Sequence, residues 1–240
     1  MGKKNVFRIG VFIPTECQLL DVACVDIFGT ISHEYMSLVA GLVPQAISYI
    51  SGGSAPTHMT EPTTSSEHPA GAVSNRVIPL TSGMNILRTC HYTEAAVAPG
   101  QLDIVLVPGP DPNTAAFEAG AVDWLRRQGE VETTDILSVC TGIFLCGEAG
   151  LLKVRTACGP CGLQDKIRDR FGPDVVLRGT ELRWVQDGRF LVEWPVVEVA
   201  LAMTDTGDRA QRYNQGQASF VLGMVRNILG AIFLCFWRRK

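Results

Sequence analysis

Neither sign of charge is in excess in this chain: 21 Lys and Arg stand against 24 Asp and Glu, a net −3 over 240 residues. No global field favours nucleic acid or acidic lipid, so no nucleic-acid partner is expected. Only 19% of residues are charged while 46% are apolar, which excludes disorder and supplies a packed core. A secretory signal is missing as well. Lys3 and Lys4 precede a short apolar run, but no small-residue cleavage site follows. Val6 stands where a myristoylation pattern needs Ser or Thr. Without a signal, the eight cysteines read as reduced thiols rather than a disulfide set, and the cytoplasm is the expected compartment. Long hydrophobic runs are also absent. Residues 219–237 are apolar and end in Arg238-Arg239-Lys240, yet the uninterrupted part is only Ile228 to Trp237. That is too short for a hydrocarbon core of about 30 Å. Arg226 and Asn227 lie inside the longer window, where they would be costly. The tail is expected to pack on the domain or at a dimer contact, with membrane contact the disfavoured reading.

What is present reads as alternating strands and helices. Phe7 to Ile13 is a buried strand stopped by Pro14, and Leu19 to Leu42 a helix broken near Gly29. Ala46 to Ile50 is a second strand. Residues 54–75 form a polar surface excursion, and Val77 to Leu80 a further strand. Leu102 to Val107 is a central strand, after which Asn113 or Thr114 caps a helix reaching about Gln128. Asp135 to Val139 is a strand, and Thr141 to Gly150 and Gly162 to Phe171 are helices. Val175–Leu177, Leu182–Val185 and Phe190–Val192 are strands, with a hairpin turn at Asp187-Gly188. Val196 to Met203 is helical. The pattern predicts an α/β fold, a mostly parallel sheet of six or seven strands sandwiched by helices. One domain spans residues 1–215, and 216–240 form the apolar tail.

The segment Ile136-Leu137-Ser138-Val139-Cys140-Thr141-Gly142-Ile143-Phe144-Leu145 has the logic of a nucleophile elbow. An apolar strand runs into Cys140 and straight on into a helix, which projects the thiol at the carboxyl end of the sheet. Gly142 gives the backbone room. A helix N-terminus beneath Cys140 favours thiolate, and the N–H of Thr141 faces developing charge. Gly109, at the end of the neighbouring strand, supplies a second wall.

These residues resemble the PfpI/ThiJ, or class I glutamine amidotransferase-like, superfamily, and within it the isonitrile hydratase branch. Four segments carry the likeness over residues 6–205: Gln18-Leu19-Leu20-Asp21 through Phe28; Asp103 through Pro108-Gly109; the Cys140 elbow with Gly147 through Leu152; and Arg168-Asp169-Arg170-Phe171 followed by Asp187-Gly188. The resemblance implies a flavodoxin-like sheet, a homodimer, a small-molecule substrate, Cys140 as nucleophile and Asp21 as the acid beside it. Asp26, about 140° further round a helix, is structural. No cofactor or metal is implied. The expected reaction is attack of Cys140 on an isonitrile carbon with Asp21 as proton donor, water then releasing an N-substituted formamide. Thr141 and Gly109 N–H groups stabilise charge. A thiol redox or stress sensor and a non-catalytic ligand-binding relative remain alternatives.

Departures from the family pattern bear on these expectations. The segment Thr156-Ala157-Cys158-Gly159-Pro160-Cys161 lacks the His of many relatives, and His33, His58, His68 and His91 lie far from it in sequence. That argues against a Cys-His-acid amidase triad. Residues 191–198 replace a family segment that helps wall the pocket, and Pro110 removes one N–H donor. Cys158-Gly159-Pro160-Cys161 has the spacing of a thioredoxin dithiol, but its flanks fit a strand-to-helix turn better.

Overall fold

The computed structural model describes residues 6–32, 45–52, 76–182 and 184–193. The expectations for 54–75, 196–203 and 216–240, and for His33, His58 and His68, lie outside these residues.

Eleven strands and five α-helices are described: β1 Phe7–Phe12, α1 Leu19–Val22, α2 Cys24–Ser32, β2 Gln45–Ser51, β3 Val77–Pro79, β4 Asn85–Leu87, β5 Cys90–His91, β6 Ile104–Val107, α3 Ala119–Glu130, β7 Asp135–Val139, α4 Gly142–Glu148, β8 Thr156–Ala157, α5 Gln164–Phe171, β9 Val176–Leu177, β10 Trp184–Asp187 and β11 Phe190–Glu193. The main sheet has seven strands in the order β10-β11-β7-β6-β1-β2-β5. All its pairings are parallel except β10 with β11. Its parallel run β2-β1-β6-β7-β11 has the flavodoxin strand order, with the topological switch between β1 and β6.

The alternation of side chains builds the two faces. In β6, Val105 and Val107 join Phe12, Trp124, Leu125, Ile143 and Ile167 in one core, under α3, α4 and α5. Ile104 and Leu106 point the other way and join Ile9, Val11, Val139, Val25 and Phe28, under α2 and the β3–β4 hairpin. Both faces being covered, β6 reads as a continuous apolar run, and β1 is buried from Ile9 on.

Several boundaries differ from expectation. The first helix breaks at Ala23 rather than Gly29, because the turn carrying Asp21 is docked on the end of β6 through Gln18 N–H to the Gly109 carbonyl, 3.3 Å. Neither Asn113 nor Thr114 caps α3. Asn113 donates from its backbone (2.8 Å) and side-chain (3.0 Å) nitrogens to Asp111 Oδ1, and the helix starts later, after Glu118. Val77–Pro79 pairs only with β4, and Val176–Leu177 only with the short strand β8, so neither joins the main sheet. The hairpin joining β10 and β11 turns on Gly188-Arg189, one residue later than expected, with Gly188 at φ 63°.

Candidate active site

Three strand ends meet at the switch point. Asp21 follows β1, Gly109 follows β6 and Cys140 follows β7. Cys140 has φ 54°, a left-handed conformation that a residue with a Cβ adopts only at a cost. The elbow requires it, since β7 ends at Val139 and α4 starts at Gly142. Gly142 permits the turn, as a Cβ there would collide with the Val107 carbonyl oxygen of β6. Gly109 is similarly confined, between the Thr141 hydroxyl and Asp21 Oδ2.

The five expected site residues come together and are all buried, Cys140 at 8% and Asp21 at 4% exposure. The Asp21 carboxyl is hydrogen-bonded to the Cys140 thiol and accepts the Gly109 N–H at 3.0 Å. Burial pushes the Asp21 pKa up to about 7, against the opposing hydrogen bonds from Gly109 and Cys140. Burial, not the nearby thiol, is thus what raises it. Burial also pushes the Cys140 thiol up to about 12, with the Asp21 charge adding to it and hydrogen bonds from Thr141 opposing. The expected resting thiolate is therefore corrected: in a dry site beside a carboxylate, Cys140 rests as a thiol. The Gly109 N–H is spent on Asp21 and the Thr141 N–H on the Cys140 sulfur. Both donors attend the thiol–acid pair rather than standing open for an oxyanion.

Other residues fall into place around this pair. The Thr141 hydroxyl donates to the Pro110 carbonyl at 2.6 Å. Pro110 lacks an N–H but contributes an acceptor, a contact that no sequence signal announces. Cys17, fully buried, feels the Asp21 charge and has its pKa pushed to about 12, chiefly by burial. Asp26 is exposed, on α2 rather than on the turn that carries Asp21. His91, the only His among the described residues, lies on β5, four strands from β7. At about 4.8 Å per strand, that is some 19 Å away. Cys158 is buried and donates to the Val192 carbonyl at 2.9 Å, while Cys161 is exposed. A thioredoxin-type pair needs the first thiol accessible, and here the order is reversed. Among the described residues, no helix is long and apolar enough to cross a membrane.

No protein-family model matches the chain, and no curated protein matches it in sequence. Solved structures do. A candidate transcriptional regulator from Vibrio parahaemolyticus superposes with a TM-score of 0.62 at 18% identity, covering 96% of this chain and 100% of its own. A ThiJ/PfpI family protein from Pseudomonas syringae gives 0.54 at 16% identity, over 96% and 89%. DJ-1 from Schizosaccharomyces pombe gives 0.56 at 11% identity, over 84% and 93%. The fold is that of the DJ-1/ThiJ/PfpI proteins. On this DJ-1/ThiJ/PfpI frame, Cys140, Asp21 and Gly109 occupy the carboxyl edge at the switch point, where open α/β sheets bind ligands.

Proposed function

We propose that the chain is a cysteine-nucleophile enzyme that hydrates an isonitrile, or a related small electrophile, with Asp21 as the proton carrier of Cys140. The observation that supports this is the hydrogen bond between the Cys140 thiol and a carboxyl whose pKa lies at about 7. Such a group both takes and gives a proton near neutrality. The thiol holds the reacting proton at rest. As sulfur attacks the isonitrile carbon, the Asp21 carboxylate takes that proton and then delivers it to the same carbon, leaving a thioimidate. Water adds to this carbon, one of its protons passing through Asp21 to the nitrogen. The tetrahedral adduct expels the Cys140 sulfur, which recovers a proton as the N-substituted formamide leaves. The sum is one isonitrile plus one water. No histidine is needed in this route.

The test is a panel of isonitriles, amides and small aldehydes against wild type, Cys140→Ala and Asp21→Asn. Isonitrile turnover should vanish in the first variant and fall by about 10²–10⁴ in the second. Because the carboxylate starts the reaction, kcat/KM should rise with pH through about 7. Full activity in Asp21→Asn, or a rate that falls across that range, would sink the scheme. The homodimer implied by the resemblance and the cytoplasmic location expected from the reduced cysteines belong to the same proposal, and sedimentation checks the first. A ligand-binding regulator is the second reading, favoured by the Vibrio parahaemolyticus neighbour. It predicts binding from the same panel without turnover. A peroxide sensor fits less well, because a buried thiol with a raised pKa presents little of the thiolate that oxidants attack.

A further inference from the structure

A buried cation is costly unless an anion or a full set of acceptors meets it. Arg88 lies between β4 and β5 and is only 5% exposed. Its Nη1 donates to the carbonyl of Gly52, the residue after β2. Among the described residues no carboxylate pairs with its guanidinium, and no second acceptor meets it. The buried side-chain atoms left without a partner are Gln128 Oε1 and Ser138 Oγ, so the remaining N–H groups of Arg88 are not sealed in. A guanidinium covered on nearly every side thus keeps an open edge with donors to spare. An acid stands across Gly52 from it. A Cβ on Gly52 would come within 2.5 Å of Glu118 Oε2 and 3.3 Å of Tyr92 Cε1. Glu118, exposed just before α3, accepts the Tyr92 hydroxyl on Oε1 at 2.5 Å, which leaves Oε2 facing Gly52. That hydrogen bond is the main cause pushing the Tyr92 pKa up to about 12, so Tyr92 stays a donor at neutral pH. Guanidinium and carboxylate flank one glycine without forming an ion pair. More than 4.0 Å separates them, and at most about 8 Å, the reach of one residue with a contact at each end.

We infer that Arg88 and Glu118 form a second small-molecule site, separate from Cys140, that takes an α-amino acid by its two charges, the carboxylate on Arg88 and the ammonium on Glu118 Oε2. A plain carboxylate would meet Arg88 but be repelled by Glu118, and a plain amine would suffer the reverse, so the pair selects a zwitterion. In an α-amino acid the two charged groups stand about 3 Å apart, and a hydrogen bond of about 2.8 Å at each end bridges the gap. The site lies at the carboxyl end of β2, three strands from β7 and so about 14 Å from Cys140. A small substrate does not reach both, and the inference holds whatever electrophile Cys140 takes.

The experiment is calorimetric titration of the full-length protein at pH 7 with glycine and then with each of the other standard amino acids, acetate and ethylamine serving as single-charge controls. At least one amino acid should bind well ahead of both controls. Glu118→Gln should weaken that amino acid roughly tenfold or more, the size of one lost charge-assisted bond, and should strengthen acetate by removing the repelling charge. Arg88→Lys should weaken the amino acid by a similar factor, because one ammonium does not fork onto both the Gly52 carbonyl and a ligand carboxylate. Glu118 is exposed, so its variant keeps the test open should Arg88→Lys fail to fold. Cys140→Ala should bind as the wild type does. No binding by any of the amino acids, acetate binding as well as they do, an affinity untouched by Glu118→Gln, or binding lost in Cys140→Ala would overturn the inference. Turnover is not read, so failure of the hydratase proposal leaves the outcome independent.

Discussion

Gly142 and Gly29 show how differently one glycine can matter from another. A Cβ at Gly142 would strike the carbonyl oxygen of Val107, which is backbone in a central strand and cannot rotate away. A Cβ at Gly29, inside α2, meets nothing within 4 Å. Gly142→Ala should cost at least about 1–3 kcal/mol by overpacking, whereas Gly29→Ala should gain about 0.5–1 kcal/mol by helix propensity. Urea unfolding of the two variants checks both signs, and an unaffected Gly142→Ala protein would mean that α4 does not approach β6 as described. Two residues earlier in the same tight turn, Cys140 stands at φ 54°. It is thus in a costly backbone conformation two residues before a position that must be glycine. Strain of this kind persists only where surrounding structure enforces it.

At the scale of elements, periodicity decided what could be read. Buried strands such as the continuous apolar Ile104–Val107 and the mostly apolar Asp135–Val139 were legible, as was the elbow between β7 and α4. The start of α3 was not. The Asn113 signal is a real local hydrogen-bonding preference, but Asp111 satisfies it within a turn, and the helix waits for Ala119. The strands β3 and β9 were legible but their partners β4 and β8 were not, because two or three residues carry no face pattern from which a strand or its partner can be told. Cys140 and Asp21 were legible as a pair only through the family likeness. Nothing in their spacing shows that residues 119 positions apart share a hydrogen bond. The closing hairpin offers a test at this scale. Gly188 sits at φ 63° as the first central residue of a two-residue turn, so Gly188→Ala should cost about 1 kcal/mol. A loss confined to β10 and β11 in hydrogen exchange would confirm that this edge is a separate unit, and equal loss across β1 and β6 would deny it.

For the whole molecule, the site makes stability depend on pH in a direction opposite to that of an ordinary surface carboxylate. Asp21 rises from 3.8 to about 7 on folding, so between those values the native state keeps a proton that the unfolded chain has released. The stability tied to that proton is complete below about pH 4 and is lost as pH climbs through about 7. The loss is on the order of 4 kcal/mol, large against the whole stability of a domain. Asp135, also raised by burial, adds a loss of the same sign, and the thiols of Cys17 and Cys140, raised from 9.0 to about 12, add theirs only above pH 9. Asp21→Asn isolates the first contribution, since an amide oxygen can still accept the Gly109 N–H but nothing remains to ionise. The variant should gain stability over wild type by a few kcal/mol between pH 5 and pH 8 in urea titrations, while losing its turnover. A difference between the two proteins that stays constant across that range would mean that Asp21 titrates like a surface aspartate. In that case no group near Cys140 could carry its proton at neutral pH, and the proposed hydration would lose its first step.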